Sequence, residues 1–212
     1  MSNKKFELVA ESAIEVFGIK LFRIRAKVAF GSVAAGEIGG YVQSEKNVDA
    51  AGNAWVSGNA RVSGNARVSG NARVSGNAWV YDDAWVYDDA WVSGNARVSG
   101  NARVSGNAWV SGNAWVSGNA WVYDDASIFW ASRVGSEQGT LTVCRAKAGL
   151  WVSRGCFAGT DTEFLAAVDA RHGKDSKIGR EYHLLIEVAR SRIDTSTPLP
   201  DAEPVEPAKD VA

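Results

Sequence analysis

From Val56 to Val122 a valine returns at every sixth position, and Ile128 keeps the same phase one hexad later. An alanine precedes each of these residues by two, from Ala54 to Ala126, so two inward apolar positions flank one outward position. That alternation is a short β-strand. A six-residue period drifts around an α-helix and builds no face, and Gly with Asn or Asp in every unit would break one. The unit Asn-Ala-Arg/Trp-Val-Ser-Gly, with the variant Asp-Ala-Trp-Val-Tyr-Asp, therefore predicts a solenoid of short strands joined by tight corners. The corner Asn, as at Asn59, Asn65 and Asn71, is expected to take the left-handed backbone conformation. Asp83, Asp89 and Asp125 replace it at the variant corners.

The flanks carry other patterns. Phe6-Glu7-Leu8-Val9, Ile14-Glu15-Val16 and Ile19 to Ile24 alternate and break at Gly18, which predicts a β-hairpin. Val42 and Val48 are already six apart, so the rod should begin there, with a slip of two residues before Val56. After the repeats, Ile128–Trp130, Leu141–Cys144 and Leu150–Val152 read as strands, with turns at Gly135 to Gly139 and at Ala148-Gly149. Thr160 or Asp161 should cap a helix over Glu163–His172 that buries Phe164, Leu165 and Val168 and stops at Gly173. A second helix, from about Arg180 to Arg192, should bury Tyr182, Leu184, Leu185 and Val188. The division expected is a hairpin cap over residues 1–41, the repeats over 42–128, a small α+β domain over 129–194, and a disordered proline-rich, acidic tail over 195–212.

The hexad resembles that of the hexapeptide-repeat superfamily, whose pattern of aliphatic, small, two variable, small, variable is met by Val-Ser-Gly-Asn-Ala-Arg except that Ser or Tyr stands where Gly is common. With the Gly39–Glu45 segment, the Gly-Asn-Ala-Trp-Val units and the Gly155–Thr160 segment, the chain also looks like poorly characterised bacterial and prophage proteins of that superfamily, some labelled transferases. The resemblance implies a mainly β fold: a left-handed parallel β-helix of about four to five triangular coils, three hexads to a coil. It brings with it no established active site.

Three hexads per coil would stack residues eighteen apart at a strand spacing of about 4.8 Å. The outward positions then become ladders. One face would carry Arg61, Trp79, Arg97 and Trp115, the next Arg67, Trp85, Arg103 and Trp121, and the third Trp55, Arg73, Trp91, Trp109 and Ser127. Arg over Trp is a cation–π contact worth about 0.5–1 kcal/mol at an exposed site, so the ladders can stabilise the rod without any ligand. So many outward indoles on flat faces also fit an interface, and the ladder residues, including Trp91 and Trp109, are the candidate binding positions. The paired Asp at Asp82-Asp83, Asp88-Asp89 and Asp124-Asp125 could in principle face a divalent cation, but turn propensity favours solvated corners.

Composition narrows the chemistry. A formal net charge of −1, from 23 basic and 24 acidic residues, offers no field to gather long nucleic acid or an anionic membrane. The sequence shows no apolar run of membrane-spanning length and no secretory signal, so a cytoplasmic site is expected, that of a host cell if the protein is phage-encoded. Cys144 and Cys156 lack the spacing of a metal or redox motif and are expected as reduced, packed strand residues. Acyltransferases built on this superfamily's fold use a histidine base, and its carbonic anhydrases hold zinc with three; here only His172 and His183 occur, neither within a hexad. No catalytic residue, metal ligand or cofactor is assigned on these grounds. The leading expectation is a non-enzymatic binding or scaffold protein, of phage or prophage origin and homo-oligomeric, that occupies a host protein such as a defence component. A transferase using His172 or His183, resting on fold analogy, and a small-nucleotide binder using Arg and Trp to grip phosphate and base, are the alternatives.

Overall fold

A computed structural model describes residues 5–197 and 199 of the chain. Strands β1 (Phe6–Val16) and β2 (Ile19–Ala26) form the antiparallel hairpin. They join through Phe17 and Gly18, both at positive φ, the backbone pair whose twist matches that of a hairpin. The two apolar runs before Phe17 belong to one strand, because a bulge between Val9 and Ile14 absorbs the polar residues between them. β2 pairs antiparallel with β3 (Ile38–Val42), and β3 is the first rung of the solenoid.

Twelve two-residue strands follow, β4 (Trp55–Val56) to β15 (Trp121–Val122), one to each hexad. They pair in parallel at a separation of eighteen residues, as Arg61 with Trp79, Arg67 with Trp85 and Arg73 with Trp91, so three hexads make one coil. The slip is also where the spacing put it: Val42 pairs with Val62 and Val48 with Val68, twenty apart, and the two extra residues lie between Val48 and Val56. Every repeat alanine and valine from Ala54 to Val122 is buried. Small and medium side chains from three sides fill the bore, which leaves only the residue between them free to face outward.

The backbone ladder runs one way. Asn59, Arg61 and Ser63 donate their N–H groups to the carbonyls of Gly76, Ala78 and Val80 in the following coil, at 2.8, 2.9 and 3.0 Å. Consequently the N-terminal end of the rod is left with unpaired carbonyls and the C-terminal end with unpaired N–H groups. At the first end Lys5 Nζ donates to the Ala54 and Asp49 carbonyls at 2.8 and 3.1 Å, and Arg23 Nη1 to those of Gly39 and Gly58 at 2.8 and 3.2 Å. At the other end the Asp125 carboxylate accepts the Trp109 N–H, and the Thr142 hydroxyl that of Trp115, each at 2.9 Å. Donors cap one end and acceptors the other.

Within each corner the left-handed residue is the glycine, as at Gly70 (φ +65), and the Asn expected to take that conformation does not. Asn is instead used for its amide: Asn59, Asn77, Asn95 and Asn113 form a hydrogen-bonded column, and Asn65 and Asn71 donate to Asp83 and Asp89. Where Gly is replaced, Asp82 and Asp88 carry the positive φ, and their carboxylates accept the N–H of Gly100 and Gly106 in the next coil.

The C-terminal unit is a four-stranded antiparallel sheet, β16 (Ile128–Val134), β17 (Gly139–Arg145), β18 (Leu150–Arg154) and β19 (Phe157–Thr160), with α1 (Asp161–His172) and α2 (Lys177–Arg192) on one side. β19 has no apolar alternation, and for that reason it was not visible as a strand in the sequence. Ile128, Trp130, Cys144 and Trp151 point from the sheet onto the end of the rod, while Leu141, Val143, Leu150 and Val152 face Phe164, Val168, Tyr182 and Ile186 of the helices. Thr160 caps α1, its hydroxyl accepting the Glu163 N–H and its own N–H bonding the Glu163 carboxylate, which lowers that carboxyl below its ordinary range. Gly173 ends the helix at φ +80. In α2 the buried stripe is Tyr182, Ile186 and Ala189. Leu184 and Val188, expected inside, are exposed, since Leu184 lies about 200° around the helix from Tyr182.

Of the expected tail, Pro198 and residues 200–212 lie outside the described residues. Its first residues are fastened: the Ser196 and Thr197 side chains bond Asp194, and the Thr197 carbonyl accepts from Arg145. Those hydroxyls hold the Asp194 carboxyl well below its usual range. Among the described residues no helix is long and apolar enough to cross a membrane.

A Cβ on Gly70 would stand 2.9 Å from the Asp88 nitrogen at an already strained φ, so Gly70→Ala should lose about 1–3 kcal/mol in chemical denaturation. Asp88→Gly relieves strain while losing one exposed bond and should change stability by no more than about 1 kcal/mol. Burial lowers the Lys5 ammonium from 10.5 to about 8, against the opposing pull of Asp49. Between those values the unfolded chain binds more protons, so stability should rise with pH across that window and level off above it. Urea titrations over this range should show the rise in the wild type and its loss in Lys5→Met.

Candidate functional site

The three faces hold the predicted ladders in the predicted register, but they treat their indoles differently. On the first, Arg61, Trp79, Arg97 and Trp115 stand in line above Tyr41. Phe17 of the hairpin turn stacks on Trp79 at 5.7 Å and 4°, Tyr81 lies beside the same ring at 5.0 Å, and the Arg97 guanidinium sits 6.0 Å from Trp115. On the second, made of Arg67, Trp85, Arg103 and Trp121, Arg103 is held between Trp85 at 5.9 Å and Trp121 at 5.0 Å. Tyr87 packs against Trp85 at 4.3 Å. Cation and ring satisfy one another there.

The third face breaks the alternation. Trp55 is buried beneath Phe6 and Phe30, and the Arg73 guanidinium donates to the Ser32 hydroxyl at 2.8 Å. Trp91 and Trp109 then follow in consecutive coils with no cation between them, stacked at 5.4 Å and 12°, and are 44% and 49% exposed. Ser127 does not continue this ladder as expected. It is buried in a short 3-10 turn, Asp125–Ser127, with its hydroxyl on Asp124, and the Asp125 carboxylate caps the Trp109 backbone N–H.

Five of the six outward indoles are also fixed by a contact that the sequence reading overlooked, while the Trp121 Nε1 is buried without a hydrogen-bond partner. The Nε1 groups of Trp79, Trp85, Trp91, Trp109 and Trp115 donate to the hydroxyls of Ser63, Ser69, Ser75, Ser93 and Ser99 in the preceding coil, at 2.9–3.4 Å. The separation is always sixteen residues, one coil less the two positions between outward residues of a hexad, so the signal was present in the repeat. Tyr replaces Ser at positions 81 and 87, where the coil above brings Arg97 and Arg103 and no indole N–H needs an acceptor. At Tyr123 the Arg145 guanidinium donates to the phenol oxygen at 2.7 Å.

Elsewhere the surface offers less. The paired Asp corners spend oxygens on Asn amides and glycine N–H groups, and no group of His, Cys, Asp and Glu able to hold a metal occurs among the described residues. A cavity of about 370 Å³ in the C-terminal unit is lined by Arg154, Cys156, Phe157, Arg171, His172 and Tyr182, among others. Arg154 is tied to the Tyr182 hydroxyl and the Val134 carbonyl, both at 3.0 Å, and Arg171 faces Glu137 at 3.7 Å. Both thiols are free. Cys144 is buried, and burial pushes its thiol far up; Cys156, expected to be packed in a strand, is instead exposed in the turn between β18 and β19. His183 bonds Asp169 at 2.7 Å and so links the two helices, leaving His172 as the histidine at the cavity.

Residues 54–68, 66–82 and 96–112 match the family model of the YdcK beta solenoid repeat. The likeness lies wholly within the rod. No curated protein matches the chain.

If the hydroxyl column orients the indoles, Ser69→Ala should strip Trp85 of its 2.9 Å acceptor and lower stability by about 0.5–1.5 kcal/mol. Ser57→Ala, whose upper neighbour is Arg73, serves as the matched control and should lose less. Denaturant midpoints of the two variants, read by tryptophan fluorescence, make the comparison.

Proposed function

We propose that the protein is a non-enzymatic binding or scaffold protein that acts by occupying a protein partner. The observation that carries this reading is the stacked pair Trp91 and Trp109, half exposed on a rod whose inward positions are filled. Their N–H groups are already bonded to serines, so the rings present apolar surface with no unmet polar demand. Large rigid aromatics of this kind supply much contact area at small entropic cost and anchor protein interfaces. With a net charge of −1, recognition rests on shape and short-range contact rather than on long-range attraction.

The resemblance to prophage hexapeptide-repeat proteins extends the reading to a partner in a host cell, with a defence component as the kind of protein to seek. A transferase would need a base beside a nucleophile. His172 and Cys156 do border one cavity, but Arg154 and Arg171 there are engaged by Tyr182, Val134 and Glu137, so the occupancy reading is preferred.

Crosslinking in native host cells, followed by identification of the captured proteins, tests it with an alanine series. Trp91→Ala and Trp109→Ala should deplete the partner, and Trp79→Ala, Trp85→Ala, Trp115→Ala and Trp121→Ala should act less because Phe17, Tyr87 and the ladder arginines already cover those rings. An unchanged set of captured proteins in all six folded variants sinks the reading.

A further inference from the structure

The exposed side of the third face reads, from the hairpin end upward, Arg73, Trp91, Trp109, Asp125. Both charged ends are solvent-exposed. Arg73 pairs with Trp91 and Trp91 with Trp109, so these three side chains occupy successive rungs about 4.8 Å apart, and the Asp125 carboxylate lies just beyond them on the Trp109 backbone N–H. The series is antisymmetric in charge about its centre: cation, indole, indole, anion.

A surface with that order is complementary to its own inverted copy. A two-fold axis lying in the contact plane, at right angles to the rod and midway between the indoles, brings Trp91 of one copy onto Trp109 of the other. The same operation sets each Arg73 opposite the other copy's Asp125. Closed two-fold contacts need this kind of self-matching, with residue i meeting j and j meeting i. We propose that this face is the contact between two copies of the chain packed with their rods antiparallel. The inference rests on the reading above that Trp91 and Trp109 are contact residues, and it makes a second copy the protein that covers them, a host partner taking its place on the dissociated chain.

The other two faces do not fit the role. On the first, Phe17, itself exposed, lies over Trp79, and on the second Arg103 lies between both indoles, so neither offers two exposed ladder indoles in consecutive coils. At its ends the third face is bounded by the Ser32 loop, which holds Arg73, and by the 3-10 turn that carries Asp125. Arg192 borders the same cleft as Asp125, so the aromatic pair supplies the anchor and the charges set the direction.

Sedimentation of the purified full chain over a range of concentrations tests the proposal. The informative substitutions put Arg where the repeat itself uses Arg, so the fold is kept. Trp91→Arg and Trp109→Arg should each raise the dimer dissociation constant by more than about tenfold, as loss of an anchor residue does. Trp85→Arg, on the second face, should leave it unchanged. Arg73→Asp should weaken the dimer more than Arg73→Ala does, since it sets two carboxylates against each other at each end of the contact while the Asp125 cap stays intact. A wild-type chain that stays monomeric, or a dimer that Trp85→Arg breaks and Trp91→Arg does not, overturns the antiparallel contact. Either result leaves the partner-binding reading standing, since crosslinking in host cells judges that separately.

Discussion

Every rung of the solenoid donates hydrogen bonds to the coil after it and accepts them from the coil before it. A column built in this way cannot end without leaving one kind of group unpaired at each terminus, and burial makes unpaired backbone groups costly. The two ends are accordingly different in chemistry. An ammonium and a guanidinium, from Lys5 and Arg23, meet the carbonyl end, and a carboxylate and a hydroxyl, from Asp125 and Thr142, meet the amide end. The hairpin and the C-terminal sheet are therefore matched to particular ends, and exchanging them would set donors against donors.

Because the bore is filled by alanine and valine alone, the residue between them in each hexad faces outward, and its surroundings are set by the coils above and below. A tryptophan has a serine hydroxyl beneath it in five of its rungs, and Tyr81 and Tyr87 occur where arginine lies above. These rules use up most of the outward chemistry in holding the rod together. Among the ladder tryptophans, only Trp91 and Trp109, which follow one another in consecutive coils, are left exposed. The proposed contact thus lies at the place where the pattern is broken.

Much of this architecture was legible because a six-residue period with two inward positions admits few solutions. The short strands, the two-residue slip, the hairpin turn and the Thr160 cap follow from local pattern, whereas the eighteen-residue ladders follow from the three-hexad coil that the family resemblance implies. What escaped the sequence depended on neighbours across coils or units. Positive φ fell to glycine rather than to Asn because Asn is stabilised by its amide column, a contact eighteen residues away. Leu184 and Val188 were misplaced because α2 has apolar residues on two sides, and only packing against β16 to β18 selects one. Of the candidate binding residues all ten stand on the expected faces, but the sequence could not rank them, since Phe17 over Trp79 and Phe6 over Trp55 come from a distant hairpin.

The three-sided winding also governs how such a chain can change in length. Adding or deleting eighteen residues returns the C-terminal unit to the same azimuth above the hairpin and keeps amides, hydroxyls and rings in column. Adding six turns that unit by a third of a revolution and shifts each ladder onto a neighbouring side. Near-identical hexads invite duplication and loss during replication, so whole-turn variants are the ones that would survive with both termini still aligned.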